Sequence, residues 1–367
     1  MMVVLATGGS GGHLVPALKV AEELRKEGND VTIIGSFPRK NSDNKLSVGV
    51  EQIEKFGFAY EEIFSRGLSS PNFFNRLSVV GSTLKAAAAA FGKLKKIKPH
   101  VVVGFGGYGA FPVVLAASLL KCPTLIHEQN VIPGRANRLL SFFVNTIAVS
   151  FPANAGDFHS RKVVLTGCPC HWTGKEYNRQ EIFKTFGLEN NRKTLLVLGG
   201  SQGSHRINEV FLETIESLLH EKINFQVIHI CGSKDYEALK KSYVRFSLPI
   251  AVFSFLDRME EAYAIADLVI SRAGALTVTE IGLSGKPSIL IPYPFAGGHQ
   301  KLNAEVLTDA GLSRMIEEKN LSAKSLADGI REMLKQEKSD SRKRNSQFIQ
   351  DASKRITREI IRLGTSA

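Results

Sequence analysis

The feature that most constrains this chain is a cassette that occurs twice. "LATGGSGGH" closes at His13 and "LVLGGSQGSH" closes at His205. Each reads as an apolar strand, a Gly-Gly-Ser turn, one or two more glycines, a histidine and then a helical pattern. Glycine lets a turn take φ > 0 and lets a ligand approach the backbone closely. The helix that follows presents unpaired N–H groups and a partial positive charge. Phosphate, pyrophosphate or a developing oxyanion are the natural guests. The glycines begin at Gly8 and Gly199, so each cassette heads about half of the 367 residues. Two similar α/β domains are the economical reading.

The remaining pattern agrees. Apolar runs at Met2–Ala6, Val31–Ile34, Val101–Phe105, Thr124–Ile126 and Thr146–Val149 alternate with helical stretches. In the second half the runs are Phe225–Ile230, Ala251–Phe253, Leu268–Ser271 and Ser288–Ile291. Continuous Val/Ile/Leu strands between helices predict parallel sheets covered on both faces. The expected fold class is α/β: two Rossmann-like, doubly wound parallel-sheet domains facing a cleft. Their expected bounds are 1–165 and 193–340, with a linker over 166–192. Residues 341–367 are expected to form a C-terminal helix that packs back on the first domain. Ligands bind beyond the carboxyl ends of such strands, which suits a two-substrate transfer.

Lys plus Arg number 47 against 35 Asp plus Glu, a net charge of +12. That excess points to an anionic partner, set against a merely solvated basic surface. The chain has no RNP, KH or zinc-finger pattern, so nucleic acid is not favoured. Cys122, Cys168, Cys170 and Cys231 form no CxxC pair, which predicts a reduced cytosolic protein. No signal-peptide pattern opens the chain and no 18-residue apolar run occurs. The expectation is a protein that is soluble or lies on a membrane without crossing it.

Details of the turns exclude two nucleotide motifs. Counting a Rossmann fingerprint from Gly9 places Leu14 where the last glycine belongs, and the second strand ends in Gly35-Ser36 without an acidic residue. No Gly-Lys-Ser/Thr triplet follows the turns, so neither NAD nor ATP is expected. "RAGALTVTE" (Arg272–Glu280) is more telling. A diphosphate could rest on the amides of Ala275, Leu276 and Thr277, with Arg272 and Thr277 as donors. Glu280 could accept both hydroxyls of a ribose. The plain alternative is that Arg272 and Glu280 form an ordinary surface pair. The chain has no Asp-x-Asp, so metal-free neutralisation of the phosphates is expected, with no metal site and no cofactor.

"TGGSGGH", "GFGGYGAFP", "HEQN", "GGSQGS", "RAGALTVTE" and "HQKLNA" occur in that order. Together they closely resemble the MurG family of peptidoglycan N-acetylglucosaminyltransferases, over nearly the whole chain. The resemblance implies a GT-B fold. It implies transfer of N-acetylglucosamine from UDP-N-acetylglucosamine to the C4 hydroxyl of N-acetylmuramic acid in lipid I, giving lipid II. Inversion at the anomeric carbon and metal independence are also implied. Donor contacts would fall on Ser10, Gly11, Gly12, Asn130, Ser201, Leu256, Ala275, Leu276, Thr277, Val278, Thr279, Glu280 and Gln300. Leu256 would offer backbone atoms to uracil, and Gln300 would bind sugar hydroxyls. His171 stands where the family has a donor-binding arginine; Arg161 or Lys162 could compensate. His13, Tyr108, His127 and Glu128 would line the acceptor site. His13 is the first candidate for the base that takes the acceptor proton, since an imidazole has a suitable pKa. Orienting the loop or binding the acceptor phosphate is its alternative role.

A lipid-linked acceptor requires approach to a bilayer. Phe73, Leu77, Val80 and Leu84 recur at helical spacing, with Phe74 beside them and Lys93, Lys95, Lys96 and Lys98 following. An apolar stripe beside a basic cluster suits an anionic cytoplasmic membrane surface. A helix that packs its stripe onto the sheet would look the same in sequence. The implied location is the cytoplasmic side of the inner membrane, with cell-wall synthesis proteins as candidate partners. Other readings are a diacylglycerol-type GT-B glycosyltransferase and a UDP-N-acetylglucosamine 2-epimerase.

Overall fold

In the computed structural model the described residues are 1–9, 11–37, 48–64, 73–152, 156–158, 162–200, 202–295, 297–335 and 348–366; the side chains of 48 and 73–80 lie outside that set. They divide into two compact units, Met1–Cys170 with Asp351–Ala367, and His171–Gln350.

The first unit holds seven strands: β1 (Met2–Gly8), β2 (Asp30–Ser36), β3 (Ala59–Glu62), β4 (Val101–Gly104), β5 (Thr124–Glu128), β6 (Thr146–Val149) and β7 (Val163–Leu165). Their order is β3-β2-β1-β4-β5-β6-β7, all parallel. Alternate side chains of a strand face opposite sides. Val3 and Leu5 join Val101 and Val103 under α1 (Gly11–Lys26), α2 (Val48–Lys55) and the C-terminal helix Ala352–Thr365. That last helix contributes Ile356 and Ile360 to the same core. Val4 and Ala6 join Val102 on the other face, under α3 (Phe73–Ile97), α4 (Ala110–Leu119) and α5 (Arg135–Leu140). Coverage on both sides is why these strands read as unbroken apolar runs.

The second unit carries α6 (Arg179–Phe186) and six strands: β8 (Lys193–Leu198), β9 (Phe225–Ile230), β10 (Ile250–Phe253), β11 (Leu268–Ser271), β12 (Ser288–Leu290) and β13 (Ser313–Met315). They are parallel in the order β10-β9-β8-β11-β12-β13. Leu195, Val197 and Ile270 pack under α7 (His205–His220), α8 (Tyr236–Tyr243) and α12 (Ala323–Lys335). Helices α9 (Met259–Ile265), α10 (Ala275–Ser284) and α11 (His299–Asp309) complete the unit.

Each sheet reverses its winding between two neighbouring central strands, β1 and β4 in one unit, β8 and β11 in the other. The turns after these four strands therefore flank the two switch points, where doubly wound sheets bind ligands. Both glycine cassettes, "GFGGYG" and "RAG" occupy those four positions. Among the described residues no helix is long and apolar enough to cross a membrane.

Candidate active site

In the first unit the cassette turn and the turn after β4 close on each other. The Gly8 N–H donates to the Gly106 carbonyl at 3.1 Å. Gly106 and Gly107 take φ of 86° and 78°. A Cβ on Gly107 would stand 3.0 Å from the Gly8 Cα and 3.3 Å from the His13 ring, so glycine is required by both conformation and space. Gly12, in contrast, faces open space.

His13 lies inside the first turn of α1. Its Nδ1 is 2.9 Å from the Phe105 carbonyl oxygen, which also accepts from Gln129 Nε2 at 2.6 Å. A carbonyl only accepts, so the neutral ring carries its proton on Nδ1 and leaves Nε2 with a lone pair. Burial lowers the His13 pKa, opposed by Glu128 and by the bonds to Phe105 and Gln129. A neutral imidazole with a fixed tautomer is the form a general base needs.

Of the "HEQN" residues Gln129 bonds to this turn, and the others hold neighbouring backbone. His127 is fully buried; its Nε2–H donates to the Gly167 carbonyl at 3.0 Å, and burial pushes its pKa down to about 4. Both oxygens of Glu128 are engaged within its own loop. Oε1 accepts from the Asn130 backbone N–H and side chain at 3.0 and 3.2 Å. Oε2 accepts from the Gly134 N–H at 3.0 Å and Asn137 Nδ2 at 2.8 Å. Glu128 thus shapes the loop that carries Asn130. Tyr108 is exposed beside the glycine turn.

In the second unit the "RAG" turn after β11 leads into α10. Gly274 caps that helix without any side-chain hydrogen bond, and a Cβ there would meet nothing within 4 Å. The first N–H groups of a helix lack intrahelical partners. Those of Ala275, Leu276 and Thr277 therefore make an uncapped end that suits a phosphate group. The side chain of Thr279 is turned inward, its hydroxyl donating to the Ala275 carbonyl at 2.9 Å, and Val278 is buried. Arg272 is buried and already partnered: it pairs with Glu318, donates to the Ile291 carbonyl at 3.2 Å and lies over the Tyr293 ring. Gln300 Oε1 accepts from the Ala273 and Tyr293 backbone N–H groups at 3.2 and 2.9 Å. Its NH₂ is the end suited to a hydroxyl. Asn303 Nδ2 donates to the Ala273 carbonyl at 3.2 Å, so α11 holds the turn from both sides of one residue.

Glu280 is buried, and its Oε2 accepts from the Tyr263 hydroxyl at 3.1 Å. Burial pushes its pKa up to about 7; the Tyr263 bond acts downward and the nearby Glu260 upward. Leu256 is buried after β10. His171 opens the second unit and is half-buried. Ser10, Ser201 and Arg161 lie outside the described residues.

The second cassette is built differently. Ser204 caps α7 by accepting from the Ile207 N–H. Gly203 takes φ of 76°, and a Cβ there would stand 2.1 Å from the Cys231 carbonyl oxygen. His205 is 72% exposed and bonded at 3.1 Å to both Glu209 and Asp235.

Of the expected membrane face, the side chains of Phe73, Phe74 and Leu77 lie outside the described residues. Leu84, the last of the stripe, is 64% exposed, while α3 turns Ala86, Ala90 and Leu94 to the core. Lys93 pairs with Glu61, Lys95 lies over the Phe91 ring and Lys96 is exposed. The structure also exposes apolar side chains that the sequence reading did not single out. Leu119, Leu139, Phe142 and Phe143 are exposed on α4, α5 and the turn after it, with Lys121, Arg135 and Arg138 exposed among them. In "LLSFFV" the exposed members are hidden among Leu140 and Val144, which are core. The four-residue spacing of those two was the available signal.

Residues 3–149 match the glycosyltransferase family 28 N-terminal domain and residues 194–356 its C-terminal domain. The UDP-N-acetylglucosamine--N-acetylmuramyl-(pentapeptide) pyrophosphoryl-undecaprenol N-acetylglucosamine transferase of Thermodesulfovibrio yellowstonii is 38% identical over 335 residues, covering 91% of this chain and 90% of that protein. The crystal structure of Acinetobacter baumannii MurG has a TM-score of 0.73 at 29% identity, covering 98% of this chain and 99% of that one. A calicheamicin glycosyltransferase, 15% identical with a TM-score of 0.70 over 99% and 98% of the two chains, shares the fold alone. The chain belongs to the MurG family within glycosyltransferase family 28.

Proposed function

We propose that this protein transfers N-acetylglucosamine from UDP-N-acetylglucosamine to the C4 hydroxyl of N-acetylmuramic acid in lipid I, producing lipid II for peptidoglycan synthesis. The observation that carries this reading is the 38% identity to the Thermodesulfovibrio transferase across 91% of the chain. The geometry supports the assignment of steps. His13 Nε2 takes the proton of the C4 hydroxyl as its oxygen attacks the anomeric carbon. The bond from that carbon to the β-phosphate oxygen breaks on the opposite face, so the configuration inverts and UDP leaves. The N–H groups at the start of α10 stabilise the negative charge that collects on the phosphate. Glu280 accepts the ribose hydroxyls, Leu256 meets uracil and Gln300 donates to the sugar. No metal takes part in this scheme.

The acceptor is assigned to the first unit, beside His13 and the exposed Tyr108, where the glycine turns after β1 and β4 meet, while Gly11, Gly12 and Asn130 keep their assignment to the donor. That unit also meets the anionic cytoplasmic leaflet. Leu84, Leu119, Leu139, Phe142 and Phe143 supply apolar contact, and Lys96, Lys121, Arg135 and Arg138 supply charge. Each cation near such a surface adds about 1 kcal/mol.

Radiolabelled UDP-N-acetylglucosamine with a lipid I analogue tests the whole reading. Labelled disaccharide product is expected, unchanged by EDTA. Product with diacylglycerol in place of lipid I would move the protein to the other acceptor class. Epimerised sugar without any acceptor would remove the transferase assignment.

A further inference from the structure

Helix α9 joins two buried carboxylates through side chains three residues apart, which share one side of a helix. Glu260 gathers the segment after His171. It accepts from the Thr173 backbone N–H, from the Thr173 hydroxyl at 2.9 Å, from the Gly174 N–H at 3.3 Å and from the Tyr177 hydroxyl at 2.7 Å. Tyr263 is wholly enclosed, and its hydroxyl reaches Glu280 Oε2. A phenol in a dry core needs an acceptor, since an unpaired buried hydroxyl is costly. A phenylalanine would fill the same space without that demand. The hydroxyl is therefore explained by the carboxylate it meets, not by packing.

We propose that Tyr263 is a positioning residue for the nucleotide: its hydroxyl fixes one oxygen of Glu280 and so sets how that carboxylate meets the ribose hydroxyls. This rests on the assignment of Glu280 to the ribose under the proposed function. Tyr263 and Glu260, both on α9, are the titratable groups that act on Glu280, in opposite directions. Ribose hydroxyls donate to a charged carboxylate, so UDP affinity rises with pH through about 7, where burial has placed Glu280. Removing the Tyr263 hydroxyl pushes the carboxyl further up and moves that rise to higher pH.

Calorimetric UDP titrations between about pH 6 and 9 on wild type, Tyr263→Phe, Glu280→Gln and the double variant test this. Tyr263→Phe should bind UDP about five- to tenfold more weakly at pH 7, the scale of a hydrogen bond to a charged group. The gap should shrink to about twofold at pH 9 as the carboxyl ionises in both proteins. Its donor KM should rise while kcat at saturating donor stays close to wild type. The double variant should bind no more weakly than Glu280→Gln. Thermal melts show whether Tyr263→Phe remains folded. A wild-type affinity and pH profile for folded Tyr263→Phe, with Glu280→Gln weakened, would reduce Tyr263 to packing. Wild-type UDP affinity in Glu280→Gln would instead remove the ribose assignment and this inference with it.

Discussion

His13 and His205 close cassettes that look alike, yet one is half-buried against a carbonyl and the other is exposed between two carboxylates. The neighbour that each glycine turn leans on makes the difference. In the first unit the turn leans across the switch point onto the turn after β4, where Gly106 and Gly107 let the backbones meet. That contact brings the Phe105 carbonyl to His13 and fixes its tautomer. In the second unit Gly203 leans the other way, onto Cys231 and Gly232 after β9. The turn after β11 is left open at Gly274, where the uncapped helix end faces open space. The duplicated pattern thus holds a half-buried, carbonyl-bound imidazole in one unit and an exposed, carboxylate-paired one in the other.

The sharpest way to break this contrast is to remove each histidine. His13→Ala should lower kcat about a thousandfold, within the range of lost general base catalysis, with little change in donor KM. His205→Ala should leave kcat within about twofold, since an exposed pair contributes little. Equal losses in steady-state assays would end the distinction.

Glycine substitutions come next. Gly203→Ala forces a Cβ onto the Cys231 carbonyl at positive φ and should cost about 3 kcal/mol or more of stability. Gly12→Ala, with open space around it, should leave the melting temperature near wild type while lowering turnover. Denaturant titrations that rank the two the other way would show that the leaning turn is not what holds the second cassette.

Glu280 gives a smaller, pH-dependent effect. Its folded carboxyl holds a proton more tightly than an unfolded one, so wild type loses stability as pH rises from 4.5 through about 7. The loss is complete above that window and absent below it. Glu280→Gln escapes it and should gain about 2 kcal/mol over wild type by pH 8, with almost no gain at pH 4. A melting-temperature difference that does not grow with pH would show that Glu280 is not strained by burial.

The smallest effect concerns the membrane. Phe142→Ser with Phe143→Ser should reduce binding to anionic vesicles about tenfold, while a soluble acceptor analogue reacts normally. Val244→Ser, at an exposed apolar residue of the second unit, should change neither. Equal loss of vesicle binding from both units would spread the docking surface over the whole chain.

Much of the fold is legible in the residues, and the gaps have a common cause. The central strands announce themselves because burial on both faces demands unbroken apolar runs. β3, β7 and β13 do not, since they lie at sheet edges, where β3 is largely exposed and all three are short. In sequence His13 reads as a residue before the helix. The structure starts α1 at Gly11, with Pro16 inside it. Pro16 is past the first turn and gives up the hydrogen bond its N–H would make to the Gly12 carbonyl, so proline is a poor marker of where this helix begins. At the site, Arg272 reads as a phosphate donor, whereas its charge is spent on Glu318 and the Ile291 carbonyl. Nothing near Arg272 in sequence hints at a partner 46 positions later.

By itself the sequence determined the parallel two-unit plan, the family and the turns at the switch points, because strand burial, glycine φ and helix starts are local requirements written over a few neighbouring residues. Only the tertiary structure decided which histidine is bound to a buried carbonyl, which helix end stays uncapped, what Arg272 pairs with and what Glu280 touches. Those depend on carbonyls, hydroxyls and carboxylates brought together from distant segments, and on the dry surroundings that set their protonation.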